Sequence, residues 1–399
     1  MGSPTVKELL HTAAYLPGEM DQLLDPDRES FVRFDPDLGY ELKDYVFWDG
    51  MEDTLCSYEY EEPGGYRKVI NCADKPCRIN TYGNSFTQCA QVNNGETWQE
   101  MLAAHIREPI RNYGVGGYGV YQAYLRSMRV EPTDLGAEYI VLNVWDDDHY
   151  RNIDAARWIR VAWWHQDLPR GGDEGTYPVH GFPWGHVRYN IETGEFEEKD
   201  GFCRNEEELR KLADKDYYYE VFKDDPVVHL FALREGGEAP VDYLEKLAEA
   251  FGMDVDLRDP DKKADEAYRL HTEYALRSTQ YIVNKLRNWC DENDRKLLVL
   301  LSYDTPTVEE FIKEGSRFDA PFVEYLEEND YDYVDFLEKA AADYEDFSCP
   351  VDDFLSRYYI ARAGAQVFGH YNPVGNFWFA HSLRRPLVEW LDPSPPSYQ

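Results

Sequence analysis

Short apolar segments alternate with stretches of helical period along most of this chain, from residue 78 onward. Segments of strand length fall at Arg78–Tyr82, Pro109–Tyr113, Glu138–Val144, Lys296–Ser302 and Tyr331–Phe336. Apolar residues spaced three or four apart predict helices over Thr97–Arg107, Val120–Met128, Ala264–Asn288 and Val374–Trp390. The segment Glu138–Val144 is almost wholly apolar, as in a strand that is covered on both faces. Strands that alternate with helices in this way predict βαβ units around a parallel sheet.

The first 75 residues do not share this pattern. A helix is predicted over Val6–Tyr15 and a hairpin near Glu62–Gly65, and the remainder is irregular. We interpret residues 1–75 as an N-terminal extension that packs on the core, and residues 76–399 as one domain.

A second interruption lies between about residues 170 and 260. The sequence there predicts a hairpin over Trp184–Glu198 and a charged helix near Glu206–Lys215, which we interpret as a cap-like insertion. Aromatic residues are frequent in and around it: Trp163, Trp164, Trp184, Tyr189 and Tyr217–Tyr219. They would suit either stacking on a sugar substrate or the core of a cap.

The charge balance excludes several kinds of partner. The chain has 77 acidic side chains against 41 basic ones, a net charge of −36 at pH 7. Such a surface repels the phosphates of nucleic acids and anionic membranes, so we expect neither as a partner. The acidity itself has two explanations: solubility in a salty cytoplasm, or a surface acidity without functional meaning. The sequence does not decide between them, and it does not indicate the oligomeric state.

Cysteine usage indicates the compartment. The seven cysteines are an odd number without a CxxC pair, and their spacing matches no zinc signature. We therefore expect reduced thiols in a cytoplasmic protein. No segment approaches the apolar length of a membrane span, and the N-terminal residues lack the basic and apolar regions of a signal peptide. We expect neither a metal nor a cofactor.

Two segments that follow predicted strands could carry chemistry. Ser85 lies in Gly83-Asn84-Ser85-Phe86-Thr87, directly after the first strand. A serine in that position is exposed at the crevice where α/β sheets bind ligands. The glycine-rich segment Asn112–Gly119 follows the next strand. Its backbone N–H groups could be aimed at a ligand, although a simple βα turn would need the same glycines.

Two further segments contain acidic residues and histidines. The third strand ends at Trp145-Asp146-Asp147-Asp148-His149. These residues could form a metal site, or a loop whose acids cap the following helix. His370 lies just before the terminal helix, in Gly369-His370-Tyr371-Asn372-Pro373, where its ring could reach Ser85 across the sheet edge. A serine and a histidine placed in this way predict a nucleophile and its base.

Together these four segments resemble the conserved blocks of the SGNH/GDSL hydrolase family. Ser85 resembles the serine of the family's first block. The second block resembles the segment NYGVGGYGVYQAYLR, the third VLNVWDDDHYRN, and the last, which bears the histidine, GHYNPVGNFWFAHSL. The resemblance covers about residues 78–160 and 265–392. It implies a three-layer α/β/α flavodoxin-like fold with a central parallel sheet, to which the N-terminal extension and the inserted cap-like segment are added.

The resemblance also implies the roles of individual residues. Ser85 would be the nucleophile, His370 its base, and the backbone N–H groups of Ser85 and Gly117 the oxyanion donors. The asparagine that supplies a further donor in the family aligns here with Asp147. An ionised carboxylate would repel the oxyanion, so Asp147 could contribute only if it stayed protonated. Otherwise Asn143 or backbone groups would have to replace it.

The acid of the catalytic triad is a second departure from the family. The family places an aspartate three residues before the histidine, and that position is Val367 here. We expect His370 to use a backbone carbonyl or an acid from elsewhere, such as Asp352 or Asp353, as the third member of the triad. A serine–histidine pair would still be workable, because the third member orients the imidazole and does not take its proton.

These residues predict serine-dependent hydrolysis of a carboxylic ester, either an O-acetyl group on a carbohydrate or a small acyl ester. An O-acyltransferase with the same site and a non-catalytic carbohydrate-binding protein on the same fold are alternatives. A metal-dependent hydrolase that uses Asp146, Asp148 and His149 is a third.

Overall fold

The computed structural model describes residues 3–25, 30–164, 181, 184–360 and 369–391. The chain is a mixed α/β protein that separates into two compact units. The first unit comprises Met1–Glu41 and His149–Tyr281, and the second comprises Leu42–Asp148 and Ile282–Gln399.

The elements are numbered in chain order. The strands are β1 (Val32–Asp35), β2 (Gly39–Leu42), β3 (Tyr45–Phe47), β4 (Cys56–Tyr58), β5 (Tyr60–Glu61), β6 (Tyr66–Arg67), β7 (Ile79–Tyr82), β8 (Arg111–Asn112), β9 (Tyr139–Trp145), β10 (His186–Asn190), β11 (Glu195–Lys199), β12 (Lys296–Ser302) and β13 (Tyr333–Asp335). The helices are α1 (Val6–Ala13), α2 (Pro17–Leu24), α3 (Ser85–Gln88), α4 (Trp98–Ile106), α5 (Val120–Val130), α6 (Asp148–Arg151), α7 (Trp158–Trp164), α8 (Glu206–Lys211), α9 (Lys215–Phe222), α10 (Pro226–Arg234), α11 (Asp242–Ala250), α12 (Lys263–Glu292), α13 (Thr305–Glu314), α14 (Ala320–Glu328), α15 (Phe336–Tyr344), α16 (Val351–Leu355) and α17 (Pro373–Trp390).

A seven-stranded sheet forms the centre of the second unit, in the order β13-β12-β9-β7-β8-β6-β5. Neighbours among β13, β12, β9, β7 and β8 are parallel, whereas β6 and β5 add an antiparallel edge. Numbered among themselves, the parallel strands stand in the order 2-1-3-4-5, so the order reverses between β7 and β9. In open α/β sheets, ligands bind outside the carboxyl ends of the strands at such a reversal.

The two central strands are buried. All seven residues of β9 and six of the seven residues of β12 are buried. The two strands pair over their full length, from Lys296 beside Tyr139 to Ser302 beside Trp145. Helix α5 packs on β7 and β9, and α17 packs on α4 and α15. The continuous apolar character of both strands is what a sheet covered by helices requires.

Local sequence signals determine where the helices near the sheet edge begin. Asn372 caps α17, because its Oδ1 accepts the N–H of Gly375 at 2.8 Å, and Pro373 follows at the first helical position. Asn84 caps α3 in the same way, with its Oδ1 2.8 Å from the N–H of Phe86. Both caps lie beside the residues on which the candidate site is built.

The first unit contains the hairpin β10–β11 and its surrounding helices. Tyr189 lies opposite Phe196 in this hairpin, and its ring packs on those of Phe196 and Phe251, with centroids 5.3 and 4.9 Å away. Trp184 and Tyr218 are buried. Most of the described aromatic residues here therefore form the interior of the unit. Tyr217 is exposed, and the side chains of Trp163 and Trp164 lie outside the described part.

Most predicted elements correspond to observed ones, with ends shifted by a few residues. Two strands are three residues shorter than predicted: only Arg111–Asn112 of Pro109–Tyr113 and only Tyr333–Asp335 of Tyr331–Phe336 pair as strands. The predicted hairpins near Glu62–Gly65 and over Trp184–Glu198 are β5–β6 and β10–β11. The mixed α/β class with a mostly parallel sheet is confirmed.

The structure divides the chain differently from the predicted boundaries. Residues 1–41 group with 149–281, whereas residues 42–75 belong to the second unit, in which β5 and β6 extend the sheet. The interruption of the α/β domain therefore runs from residue 149 to 281 and not from about 170 to 260. The sequence did not reveal its end, because α12 continues through that boundary as one amphipathic helix.

Candidate active site

Ser85 follows β7, on the edge where the strand order reverses. It is the first residue of α3, and Asn84 precedes it as the cap. Asn84 Nδ2 donates to Asp148 Oδ1 at 2.9 Å, and Asp148 Oδ2 accepts the backbone N–H of Trp145 at 3.1 Å. The turn that carries Ser85 is thereby fastened to the end of the neighbouring strand β9.

His370 reaches Ser85 from the loop before α17. Its Nε2 lies 2.7 Å from Ser85 Oγ. The loop is held in place because the N–H of Ile360 donates to the carbonyl oxygen of His370 at 2.9 Å. Gly369 passes so close to Ile360 that an added Cβ would lie 1.7 Å from its carbonyl oxygen, so this position excludes a side chain. The structure thus brings the predicted nucleophile and base together.

Phe86, the residue after Ser85, supports the imidazole of His370. Its side chain is buried, and its ring centroid lies 5.1 Å from that of His370. The same ring stacks on Trp145, with centroids 5.4 Å apart, and meets the edge of Tyr371 at 5.0 Å. The imidazole therefore lies against an apolar wall that limits its rotation.

The other nitrogen of the imidazole faces an amide and not an acid. His370 Nδ1 lies 2.7 Å from Gln91 Oε1, and the backbone N–H of His370 donates to the same oxygen at 3.0 Å. Asp352 and Asp353 are exposed on α16. The prediction that one of these acids orients His370 is therefore corrected to Gln91. Val367, at the family's acid position, lies outside the described residues.

The orientation of the Gln91 side chain is set by its surroundings. Gln91 Nε2 donates to the carbonyl oxygen of Asp49 at 2.9 Å. The backbone N–H of Gln91 donates to Tyr58 Oη at 2.6 Å, and that hydroxyl donates to Asp49 Oδ2 at 2.9 Å. Burial and the carboxylate of Asp49 hold the pKa of Tyr58 far above its ordinary value, so the hydroxyl keeps the proton that it donates.

Arg67 supports the loop that carries Gln91. Its side chain is only 2% exposed, and its guanidinium carbon lies 4.7 Å from the ring centroid of Tyr58. The guanidinium donates to the carbonyl oxygens of Gln88 (2.6 Å), Cys89 (2.7 Å) and Val92, and to Asn94 Oδ1 (3.0 Å). Buried carbonyl groups require donors, and here one side chain supplies them to three.

The glycine-rich loop lies on the other side of Ser85. A Cβ added to Gly116 would lie 3.6 Å from Ser85 Cβ, and the N–H of Gly116 donates to Gln88 Oε1 at 2.8 Å. Gly117 has a φ of +83°, a conformation that favours glycine. The N–H of Ser85 is at the first position of α3, where the helix provides no acceptor. The backbone donors predicted for an oxyanion therefore belong to two segments that lie at the Ser85 side chain.

A hairpin of the N-terminal region adjoins both sides of the site. Gln88 Nε2 donates to the hydroxyls of Tyr45 and Tyr60 at 3.1 and 2.8 Å, and the carbonyl of Asp49 holds Gln91. The residues between these anchors, Val46–Trp48, are 56%, 48% and 68% exposed. This exposed apolar and aromatic stretch is thus held at one end by the bond between Tyr45 and Gln88, and at the other by the bond between Asp49 and Gln91.

Asp146, directly after β9, lies beside a second carboxylate. Its Oδ2 accepts the Thr307 hydroxyl at 2.8 Å and the backbone N–H of Asp304 at 3.2 Å. Its other oxygen is buried and meets no hydrogen-bond donor within the described part of the chain. Burial, together with the Asp304 carboxylate, raises the pKa of Asp146 well above its ordinary value. A protonated Asp146 could donate to Asp304.

The other polar residues around β9 have separate environments. Asp147 is half-buried, and its contribution to an oxyanion hole stays a prediction. Asn143, the alternative donor, is buried within β9, and its amide finds no hydrogen-bond partner among the described residues. His149 Nδ1 lies 2.8 Å from Thr279 Oγ1. Across the described ranges, no group of three or more His, Cys, Asp or Glu side chains is arranged to hold a metal ion.

Comparison with protein-family models and with curated protein sequences found no match to this chain. None of the helices in the described part combines the length and the apolar content that crossing a membrane would require.

Replacing Arg67 by methionine should lower the free energy of unfolding by roughly 2 kcal/mol or more, because the carbonyl oxygens of Cys89 and Val92 lose this donor at about 1–3 kcal/mol each. The carbonyl oxygen of Gln88 loses it too but keeps a longer bond, from Asn112 Nδ2 at 3.4 Å. Urea unfolding followed by tryptophan fluorescence measures this change. Arg385→Met, which removes an exposed ion pair with Glu389, is the matched control and should leave the transition almost unchanged. Similar transitions for the two variants would show that Arg67 does not support the loop.

The Asp146→Asn variant should be more stable than the wild type at about pH 8, by roughly 1 kcal/mol, and should lose this advantage on acidification. Because the pKa of Asp146 is raised on folding, the folded state binds this proton more tightly than the unfolded chain does. The wild type therefore loses stability as the pH rises through the raised pKa, whereas asparagine does not titrate. Thermal unfolding across the pH range tests this, and a stability difference that does not grow with pH would contradict it.

Proposed function

We propose that this chain is a serine hydrolase that cleaves a carboxylic ester through an acyl-enzyme on Ser85. The observation that carries the proposal is the 2.7 Å contact between Ser85 Oγ and His370 Nε2. A nucleophile in hydrogen-bond reach of an oriented base is the arrangement that covalent acyl transfer requires. The 2-1-3-4-5 order of the parallel strands is also that of flavodoxin-like folds, which supports the resemblance to SGNH hydrolases and their three-layer architecture.

The proposed reaction has two steps. His370 Nε2 takes the Ser85 proton as Oγ attacks the ester carbonyl, and the N–H groups of Ser85 and Gly117 stabilise the oxyanion. The tetrahedral intermediate collapses, and the imidazolium returns the proton to the leaving alcohol. Water then attacks the acyl-enzyme with His370 again as base, which releases the carboxylic acid and restores Ser85.

A neutral ester suits the surroundings of this site. The net charge of −36 disfavours anionic substrates. The exposed stretch Val46–Trp48 offers apolar and aromatic surface to an acyl group or to a sugar ring. A small acyl ester or an O-acetylated carbohydrate is therefore the proposed substrate class. A cytoplasmic location belongs to the proposal, since all seven cysteines are free.

A second candidate, a non-catalytic binding protein on the same fold, is favoured by one observation. The carboxylate of Asp147 stands where the resemblance calls for an amide donor, and an ionised group there would weaken stabilisation of the oxyanion. Binding of glycans without turnover would then be the measured property.

Ser85→Ala should lower the hydrolysis of p-nitrophenyl acetate by at least about a thousandfold, because the variant lacks the hydroxyl that carries the acyl group in the proposed reaction. Ser316→Ala, which changes an exposed serine elsewhere in the second unit, is the matched control and should keep the wild-type rate. A fluorophosphonate probe should label the wild type and the control but not Ser85→Ala. Equal rates in all three proteins would reject Ser85 as the nucleophile, and wild-type inactivity with measurable glycan binding would favour the second candidate.

Asp147→Asn should raise kcat by about tenfold or more, since a single oxyanion donor is worth on the order of 10²–10³ in rate. Asp147→Ala removes the charge without supplying a donor, so its gain should be smaller. Steady-state kinetics on the same ester compare the two variants. If asparagine gave no advantage over alanine, the side chain at this position would not be directed at the oxyanion.

A further inference from the structure

We propose that Gln91 completes the catalytic array as a positioning residue, and that its amide oxygen fixes the tautomer of His370. The effect of Gln91 on turnover rests on the proposed function. The assignment of the tautomer rests on the contacts of the Gln91 side chain, which is largely buried (8% exposed). The array is then a serine, a histidine and a neutral glutamine, with the glutamine oxygen 2.7 Å from Nδ1.

The amide has only one orientation that its neighbours allow. Gln91 Oε1 receives the backbone N–H of His370 at 3.0 Å, and a backbone N–H can only donate. On its other side, Gln91 Nε2 faces the carbonyl oxygen of Asp49 at 2.9 Å, which can only accept. Rotating the amide by half a turn would set donor against donor and acceptor against acceptor. Two independent backbone groups therefore require the oxygen to face His370.

This orientation determines which imidazole nitrogen carries the proton. Since Gln91 Oε1 is an acceptor, His370 Nδ1 at 2.7 Å must be the donor. A neutral imidazole has one N–H, so Nε2 is left with its lone pair toward Ser85 Oγ. This is the tautomer in which Nε2 can take the serine proton. A neighbour that donated to Nδ1 would place the proton on Nε2 and block that step.

The groups around Gln91 leave it as the neutral partner of the imidazole. Behind it lie the hydroxyl of Tyr58 and the carboxylate of Asp49, which bond to each other, and the guanidinium of Arg67 lies over the Tyr58 ring. Tyr371, the residue after His370, has Tyr359 and Asp146 among its titratable neighbours. The imidazolium formed during the reaction is thus stabilised by an amide dipole at Nδ1, and a carboxylate placed there would add a full charge.

Nitrogen NMR of the protein with ¹⁵N-labelled histidine tests the tautomer without any need for turnover. His370→Asn identifies the His370 signals. In the neutral wild type, Nδ1 should carry the proton and Nε2 should not. Gln91→Met, which keeps the side-chain length but removes the acceptor, should shift His370 toward a mixture of tautomers, whereas Gln280→Met in the first unit should not. A wild-type proton on Nε2, or signals unchanged in Gln91→Met, would overturn the proposal.

Kinetics test the catalytic consequence. Gln91→Met should lower kcat by about 10²-fold or more with little change in KM, because the base is no longer held in its working form. Gln91→Glu should move the acid limb of the rate–pH profile upward by about one to three pH units, since a carboxylate favours the imidazolium. If kcat fell equally in both variants and the rate–pH profile did not shift, Gln91 would have a merely structural role and the proposal would be overturned. Failure of the proposed function is distinguishable, because Ser85→Ala would then react as fast as the wild type while the NMR result stood.

Discussion

The buried guanidinium of Arg67 holds three backbone carbonyl groups of the segment 88–92, and the geometry of the candidate site depends on this interaction. From that segment Gln88 reaches the glycine-rich loop, and Gln91 reaches the histidine. Because the backbone between them is fixed, the oxyanion side and the base side share one support. Arg67 belongs to β6, so the N-terminal residues that look like an extension in the sequence help to form the site.

The sheet and the two candidate catalytic side chains could be predicted from the sequence because each has a local pattern. The apolar segments of β9 and β12 predict buried strands, and the positions of Ser85 after a strand and His370 before an Asn-Pro helix start are visible in the chain. The edge strands β5 and β6 are two residues each, too short for a period-two pattern to appear. The sequence therefore does not show that residues 42–75 belong to the second unit. It does not show the boundary between residues 281 and 282 either, because α12 continues across it.

The supporting residues could not be predicted, since their contacts join distant parts of the chain without a spacing rule. Gln91 and His370 are 279 positions apart, and Arg67 reaches a loop more than 20 residues away. A side chain bonded to backbone carbonyls leaves no signature of residue type, because any backbone offers the same acceptors. The expectation of Asp352 or Asp353 came from assuming that an acid orients the histidine. The fold supplies an acceptor oxygen by another residue type.

The surroundings of Gln91 explain why an amide and not an acid stands at this point. A carboxylate offers acceptors on both oxygens, and one of them would face the carbonyl of Asp49, with the Asp49 carboxylate close behind on Tyr58. That contact would cost electrostatic energy unless the acid were protonated. An amide matches both sides, with an oxygen for the two N–H groups of His370 and an NH₂ for the carbonyl. Once the β3–β4 hairpin supplies that carbonyl, the third position of the array is specified as glutamine by hydrogen-bond polarity.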